Sequence, residues 1–356
     1  MSDVGYKHVT GDGLVYGTAG MDLMTGGLGD YTLCGFDSDD VMTAGAGHDL
    51  LDGGAGNDLL MAHNGDAEGD TLYGGVGDDT LSVSSYSDAR GKSAAGHVLM
   101  GDDGDDTFDG TGAGHEYYGG AGDDHFDIYD GLIVDGGADD DYIQAYYVQS
   151  VFGGTGNDTI RGTEVAKIFG GEGDDFIFAM DGKLLDSGSG HDDVQVSYFK
   201  KVQAGDGDDS ISVSETKKVM AGAGDDFVSA YQVKVLLGGS GDDVIETEAV
   251  KKVDGGDGND TIYLSSVSKA SGGAGDDHFI FLGGSKKVVI DGGAGVDTVD
   301  LTAIDISPDS DVRVKELKNG WKVWDGDHTV ILKDIEHVEV PTGGTITLDD
   351  LVDFFG

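Results

Sequence analysis

Between residues 119 and 300 the apolar positions fall at a fixed phase. An apolar residue stands two places after an Asp and opens a short strand whose first side chain faces inward: Ile160, Ile177, Val194, Ile211, Val228, Ile245, Ile262 and Phe279. Each strand follows a Gly-Asp turn, and the turns begin at 119, 136, 153, 170, 187, 204, 221, 238, 255 and 272, seventeen residues apart, with a last one at 292. Nearer the N-terminus, from Gly17 to Asp58, the turns recur every nine residues: "GTAGMDLM", "GGLGDYTL", "GFDSDDVM", "AGAGHDLL" and "GGAGNDLL". A short insertion precedes "GDAEGDTL" and "GGVGDDTL", and a longer one, "SVSSYSDARGKSAAGHVLM", follows. Fixed short periods bounded by Gly-rich turns predict stacked coils of strands rather than helices. Apolar residues in constant register also argue against a flexible Gly-rich linker.

Residues 301–356 break the repeat. "VRVKELKNGWKVWDGDHTVILKDIEHVEV" alternates like strands, with Asn319 and Gly320 as a hairpin signal. Trp321 and Trp324 are expected to pack as a cap, because the open end of a coil stack needs covering and aromatic rings bury large area.

Composition then narrows the function. Among 356 residues are 65 Gly and only 2 Pro, and 69 acidic against 21 basic side chains leave a formal net charge of -48. Such a chain repels itself and needs counter-charge, for which divalent cations are the natural source. Nucleic acid is excluded as a partner, since its binding rests on basic side chains. The single Cys34 has no internal partner for a disulfide and reads as a small buried thiol. No apolar run reaches the ~20 residues of a membrane span, and "MSDVGYKHVTGDGLVYG" lacks the pattern of a cleaved signal peptide.

The turn chemistry points to calcium. Glycines permit positive φ and close backbone approach, so several carbonyls can aim at one place. Asp and Asn add hard oxygen, which suits Ca²⁺ with its six to eight oxygen ligands.

With these turns the chain resembles the RTX family of secreted calcium-binding proteins, whose nonapeptide is Gly-Gly-x-Gly-x-Asp-x-apolar-x, over roughly residues 17–300. The resemblance implies an all-β fold, a right-handed parallel β-roll or β-solenoid with calcium-binding Gly-Asp turns and a C-terminal β-rich cap. It divides the chain into a lead-in (1–16), a nonapeptide roll with insertions (17–118), a roll of seventeen-residue coils (119–300), and a cap with a type I secretion signal (301–356). It implies that the sixth-position Asp bridges neighbouring turns. The metal residues are then Asp22, Asp40, Asp49, Asp58, Asp79, Asp106, Asp124, Asp141, Asp158, Asp175, Asp192, Asp209, Asp226, Asp243, Asp260, Asp277 and Asp297. Three departures stand out: Tyr31 replaces the sixth-position Asp, Glu116 is expected to fill it in "TGAGHEYY", and Val296 replaces the acid before Asp297. The segment Ile335 to Val338 resembles the cap of RTX proteins, and "TITLDDLVDFFG" resembles their uncleaved secretion signal.

The resemblance also accounts for the number seventeen. A usual coil holds two nonapeptides, eighteen residues, with a calcium turn on each side. Here one of the two turns has given way to segments such as "YFKKVQ", "ETKKVM", "YQVKVL" and "EAVKKV". Lys183, Lys200, Lys217, Lys234 and Lys251 stack at one position, and Lys167, Lys201, Lys218, Lys252 and Lys269 at the next. Lysines repeating every ~4.8 Å repel one another, with Glu215, Glu246 and Glu248 near enough in sequence to offset them. The column is either a solvated face or a docking strip for another copy's acidic surface or an anionic polysaccharide.

Catalytic signatures are decoys. "HEYYG" lacks the second His of a zinc-protease helix, "YSDARGKS" lacks the first Gly of a phosphate loop, and no Gly-x-Ser-x-Gly elbow occurs. The expectation is a secreted, non-enzymatic calcium-binding protein of the cell surface or extracellular matrix that folds, and self-associates, on meeting calcium outside the cell. Its expected partners are calcium, its own copies or an acidic surface or polysaccharide, and the type I secretion machinery. The competing expectations are a soluble effector or adhesion module that binds glycans or membranes of another cell, and an enzyme or toxin fragment whose active domain lies elsewhere.

Overall fold

The computed structural model describes residues 5–8, 13–62, 68–84, 96–304, 312–340 and 344–347. Every regular element among them is a β-strand. The end of the expected secretion signal, 348–356, falls outside the described residues. The chain forms two compact units, Met1–Lys183 and Leu184–Gly356.

One coil shows why the repeat is seventeen long. Lys218–Ala223 runs in one sheet, the turn Gly224–Asp226 crosses over, Phe227–Tyr231 runs in the facing sheet, and Gln232, Val233 and Lys234 form the return corner. Each strand pairs in parallel with its counterpart one coil on: Val219 sits beside Leu236, and Val228 beside Ile245. Alternate residues point inward, so each sheet contributes one apolar column to a narrow core. In the second unit these columns are Val194, Ile211, Val228, Ile245, Ile262, Phe279 and Val299 on one side, and Leu185, Val202, Val219, Leu236, Val253, Ala270 and Ile290 on the other, all buried. In the first unit Phe108, Phe126, Ile143, Ile160 and Ile177 face Leu99, Tyr117, Val134, Val151 and Ile168. Phe108 and Phe126 stack with ring centroids 4.5 Å apart. Each unit is therefore a parallel β-roll, as the sequence predicts.

The return corner is built from three unlike residues. Its first residue adopts the left-handed conformation although it is not glycine: Tyr147, Glu164, Asp181, Tyr198, Glu215, Gln232, Ala249 and Ser266 have φ between 49° and 62°. Its second residue plugs the end of the core in all but one of these corners: Val148, Val165, Phe199, Thr216, Val233, Val250 and Val267 are at most 2% exposed, whereas Gly182 after Asp181 supplies no plug. Burying such a side chain is worth about 1.5–3 kcal/mol, which offsets the strain of the preceding residue. The one polar plug, Thr216, donates its hydroxyl to the Ser214 carbonyl at 3.1 Å. The third position carries Lys183, Lys200, Lys217, Lys234 and Lys251, all exposed. By contrast, the coils near the N-terminus run at eighteen, with Leu33 beside Leu51.

The first unit's roll starts, and the second unit's ends, inside segments with weaker repeats. In the first unit Gly5–His8 and Gly13–Tyr16 already pair in parallel with Asp22–Thr25 and Tyr31–Asp37. In the second unit Thr329–Lys333 and His337–Val340 add a further parallel layer onto Lys287–Ala294 and Thr298–Asp300. Antiparallel strands then cover that layer, with Arg313–Leu317 and Gly320–Trp324 forming a hairpin whose two-residue loop is Lys318-Asn319, one place before the Asn-Gly pair singled out in the sequence. Trp321 and Trp324 lie half-buried on this hairpin, and the Lys322 ammonium sits 4.4 Å from the centre of the Trp324 ring.

Candidate metal centre

The sixth-position aspartates form a buried ladder along one edge of each roll. In the first unit the backbone N–H of each donates to Oδ1 of the next: Asp22 to Asp40, then on through Asp58, Asp79, Asp106, Asp124, Asp141 and Asp158 to Asp175, at 2.6–2.9 Å. In the second unit the ladder runs from Asp192 through Asp209, Asp226, Asp243, Asp260 and Asp277 to Asp297, at 2.8–3.0 Å. The Asp297 N–H then donates to Oε2 of Glu336 at 2.8 Å, so a glutamate from the cap closes the ladder. Every one of these aspartates is at most 2% exposed.

A second ladder, on the fifth position, runs beside the first in the opposite sense. Here each N–H donates to the preceding coil: Asp225 to Asp208, Asp242 to Asp225, Asn259 to Asp242 and Asp276 to Asn259, at 2.6–2.8 Å. The first unit does the same from Asn57, onto Asp39, to Asp174, onto Asn157. Each turn is thus tied forward by one residue and backward by its neighbour. This outer ladder is exposed, and asparagine can serve in it because the acceptor is a side-chain oxygen of either kind.

The inner ladder leaves one oxygen per residue over. Oδ2 of Asp40, Asp58, Asp79, Asp106, Asp124, Asp141, Asp158, Asp209, Asp226, Asp243, Asp260, Asp277 and Asp297 is buried without a hydrogen-bond partner. A buried, unpartnered carboxylate oxygen is costly. Desolvation accordingly pushes these acids far up: Asp226 to about 7 and Asp141 to about 8, with neighbouring aspartates of the column adding to the rise and the donated backbone N–H partly opposing it. A β-carbon placed on Gly238 would collide with both Asp243 Oδ2 and the Gly255 carbonyl oxygen, so those two oxygens face one small space that only glycine leaves open. The following Gly239, at φ +146°, abuts the Gly222 carbonyl of the preceding coil. Hard oxygens, an orphaned carboxylate in every coil and crowded turn carbonyls fit Ca²⁺. Among the described residues no three His, Cys, Asp or Glu side chains converge on one point, so turn carbonyls would have to complete each coordination shell.

The opposite edge of the first unit is different. There the column reads Tyr31, Asp49, Asp70, His97 and His115. Tyr31 N–H donates to Asp49 Oδ1 at 2.8 Å, Asp49 N–H to Asp70 Oδ1 at 3.1 Å, Asp70 N–H to His97 Nδ1 at 2.8 Å, and His97 N–H to His115 Nδ1 at 3.0 Å. Asp49, one of the seventeen expected metal residues, therefore stands apart from the other sixteen, and both its oxygens are engaged, Oδ2 by the Gly45 N–H at 2.7 Å. Glu116 does not fill the sixth-position site: the register puts His115 there and makes Glu116 the first residue of a strand, beside Val98. Burial and the adjacent His97 push His115 down to about 4, which keeps its ring neutral. Asp70, His97, His115 and Glu336 escaped the sequence reading. The insertion before Asp70 hides its register, and the histidines supply the acceptor without the acid.

The lysines of the return corner take up no acids. Among the described residues the one lysine–carboxylate ion pair is Lys333–Asp291, at 3.3 Å, and the histidine–carboxylate contacts are His97–Asp70 and His328–Asp325. The expected offset by Glu215, Glu246 and Glu248 is not made as ion pairs, and Glu215 instead accepts from the Tyr198 hydroxyl at 2.8 Å.

A family model, the RTX calcium-binding nonapeptide repeat, matches residues 35–67, 64–84, 149–164, 167–194, 235–249 and 252–266. A search of curated proteins finds no match. The matched repeats supply Asp40, Asp58, Asp79, Asp158, Asp175, Asp192, Asp243 and Asp260 of the buried ladders, so the chain carries RTX calcium-binding nonapeptide repeats, and these and the β-rolls that they build support recognising it as RTX-like.

Proposed function

We propose that this protein is a secreted, non-enzymatic structural component of the cell surface or extracellular matrix whose fold is switched on by calcium outside the cell. The observation that carries the reading is the row of buried carboxylate oxygens without partners. A roll that buries so many like charges is unfavourable until cations fill the turns, so the chain stays open at low cytosolic calcium and closes at the ~10⁻⁴ to 10⁻³ M affinities usual for extracellular sites. Among the described residues no helix is long and apolar enough to cross a membrane. At pH 8, far-UV circular dichroism in chelator should show a disordered chain, and added calcium should bring β structure. A folded roll in excess chelator at that pH would sink the reading.

One observation favours the adhesion alternative. A groove of about 390 Å³ on the second unit is lined by Ser229, Tyr231, Glu246, Thr247, Glu248 and Tyr263, a mixture of hydroxyls, carboxylates and aromatic rings suited to a sugar. Calorimetric titration of the calcium-loaded protein with neutral oligosaccharides separates the two readings: heat that is lost in Tyr231→Ala supports adhesion.

A further inference from the structure

We infer that the return-corner lysines of one copy dock against the outer aspartate ladder of a second copy, joining calcium-loaded rolls edge to edge. The inference rests on the calcium reading only in requiring a folded roll. Its basis is geometric. In the second unit Lys200, Lys217, Lys234 and Lys251 occupy one corner position per coil and are exposed. The backbone holds that column in register, since the N–H groups of Lys217, Lys234 and Lys251 donate to the preceding coil at 3.0–3.2 Å. Among the described residues none of these ammonium groups has a carboxylate partner.

On the other edge of the same coils stand Asp208, Asp225, Asp242 and Asp276, exposed and fixed by the outer ladder. Each ladder bond engages Oδ1, which leaves the second oxygen for an outside donor. Both columns advance by one coil, ~4.8 Å, because both ride on the same parallel pairing. Their opposite charges therefore match in spacing, with the neutral Asn259 as the one gap between Asp242 and Asp276, whereas a partner of unrelated repeat would meet only one or two of them. Lysine and aspartate columns lie on opposite edges, so the contact is heterologous and leaves each new copy with a free edge of each kind. Such contacts extend into ribbons or sheets instead of closing.

The test uses the full chain with calcium, followed by sedimentation velocity, light scattering and electron microscopy, with circular dichroism as the folding control. The wild type should form large species that dissolve at 1 M salt, where the screening length falls to about 3 Å. Lys200→Glu, Lys217→Glu, Lys234→Glu and Lys251→Glu combined should fold with calcium and lose assembly. Asp208→Asn, Asp225→Asn and Asp242→Asn combined should do the same, and this variant keeps the ladder, because Asn259 already accepts the Asp276 N–H within it at 2.8 Å. A folded wild type that stays monomeric, or assembly unchanged in the asparagine variant, overturns the inference while the calcium reading stands. Assembly unchanged in both variants together with lysine-dependent retention on an anionic polysaccharide resin would assign the column to that polymer instead, which also overturns it. A wild type that remains unfolded in calcium sinks both.

Discussion

Acid should partly replace calcium. In the calcium-free roll, burial raises Asp40, Asp158, Asp243 and Asp277 to about 6, Asp79, Asp106, Asp124, Asp209, Asp226 and Asp260 to about 7, and Asp141 to about 8, from 3.8. The folded state therefore binds more protons than the open chain between about pH 4 and 7. Calcium-free stability must fall as pH rises through that window and return as pH is lowered. A single shift from 3.8 to about 7 corresponds to about 4 kcal/mol. Several such groups in one roll exceed the ~5–15 kcal/mol by which a domain is stable, so a calcium-free roll cannot hold them all ionised at pH 8. The assay is far-UV circular dichroism of protein stripped of calcium, scanned from pH 8 to pH 5 at low concentration, with sedimentation to exclude aggregates. β structure should be absent at pH 8 and present near pH 5. His115, held near 4 by burial, opposes the gain in the first unit, because its ring must stay neutral against an ordinary value of 6.5. A fragment-specific probe such as hydrogen exchange should accordingly see the second unit order first. An apo chain equally unfolded at pH 5 and pH 8, or equally folded at both, would refute the reasoning.

Other perturbations separate the roles of neighbouring residues. Asp226→Asn keeps the Oδ1 acceptor for the Asp209 N–H but removes a charge, so calorimetry should show weaker calcium binding while the pH below which the calcium-free roll orders moves up in circular dichroism. Asp209→Ala combined with Asp226→Ala removes acceptors as well as charge, and hydrogen exchange should show the middle of the second roll opening even in calcium. Phe199→Ala empties a corner plug that is 2% exposed and should cost about 3–5 kcal/mol in calcium-loaded unfolding, against at most about 0.5 kcal/mol for Lys200→Ala beside it. Glu336→Ala leaves the Asp297 N–H without its acceptor and should lower stability by about 1–3 kcal/mol, with exchange confined at first to the last coil.

What could be read in the sequence was whatever repeats with a strict period and one chemical requirement. The inward column from Ile160 to Phe279 is such a case, since a buried site on a period-two strand accepts only apolar side chains. The Asp column from Asp124 to Asp297 is another. The corner plugs were harder to see: Val148, Val165, Val233, Val250 and Val267 recur with the coil, yet all but Val165 stand beside a charged or polar third residue that looks like the purpose of the segment. Glu116 was misplaced because an acid was sought where the fold asks only for an acceptor of one N–H, and the Nδ1 of His115 meets that need. The role of Glu336 was hidden by distance along the chain, 39 residues from the N–H that it accepts, with a hairpin between. The outer ladder escaped for a different reason: exposed acids in a turn suggest solvent contact, and only the register shows them tying each coil to the one before.

The histidines mark where the roll changes character. Along the second edge of the first unit the column passes from Asp49 and Asp70, carboxylates that accept an N–H, to His97 and His115, imidazoles that accept an N–H and are buried with rings 4.8 Å apart. Ionised carboxylates stacked so closely in a dry interior call for a cation, whereas an imidazole accepts the same N–H without bringing a negative charge. After His115 the need for an acceptor disappears as well. Leu132 N–H bonds to the His115 carbonyl, the next corner plugs its core with Val148, and the coil shortens from eighteen residues to seventeen. The change thus proceeds from carboxylate acceptor to imidazole acceptor to no acceptor, each step removing acidic groups from that edge. An edge that no longer has to hold cations is free to carry them covalently, as ammonium groups, and in the first unit it does so at Lys167 and Lys183. In the second unit, where Lys200, Lys217, Lys234 and Lys251 hold the same corner position, the asymmetry of an acidic edge and a basic edge follows from the same loss of a second metal row.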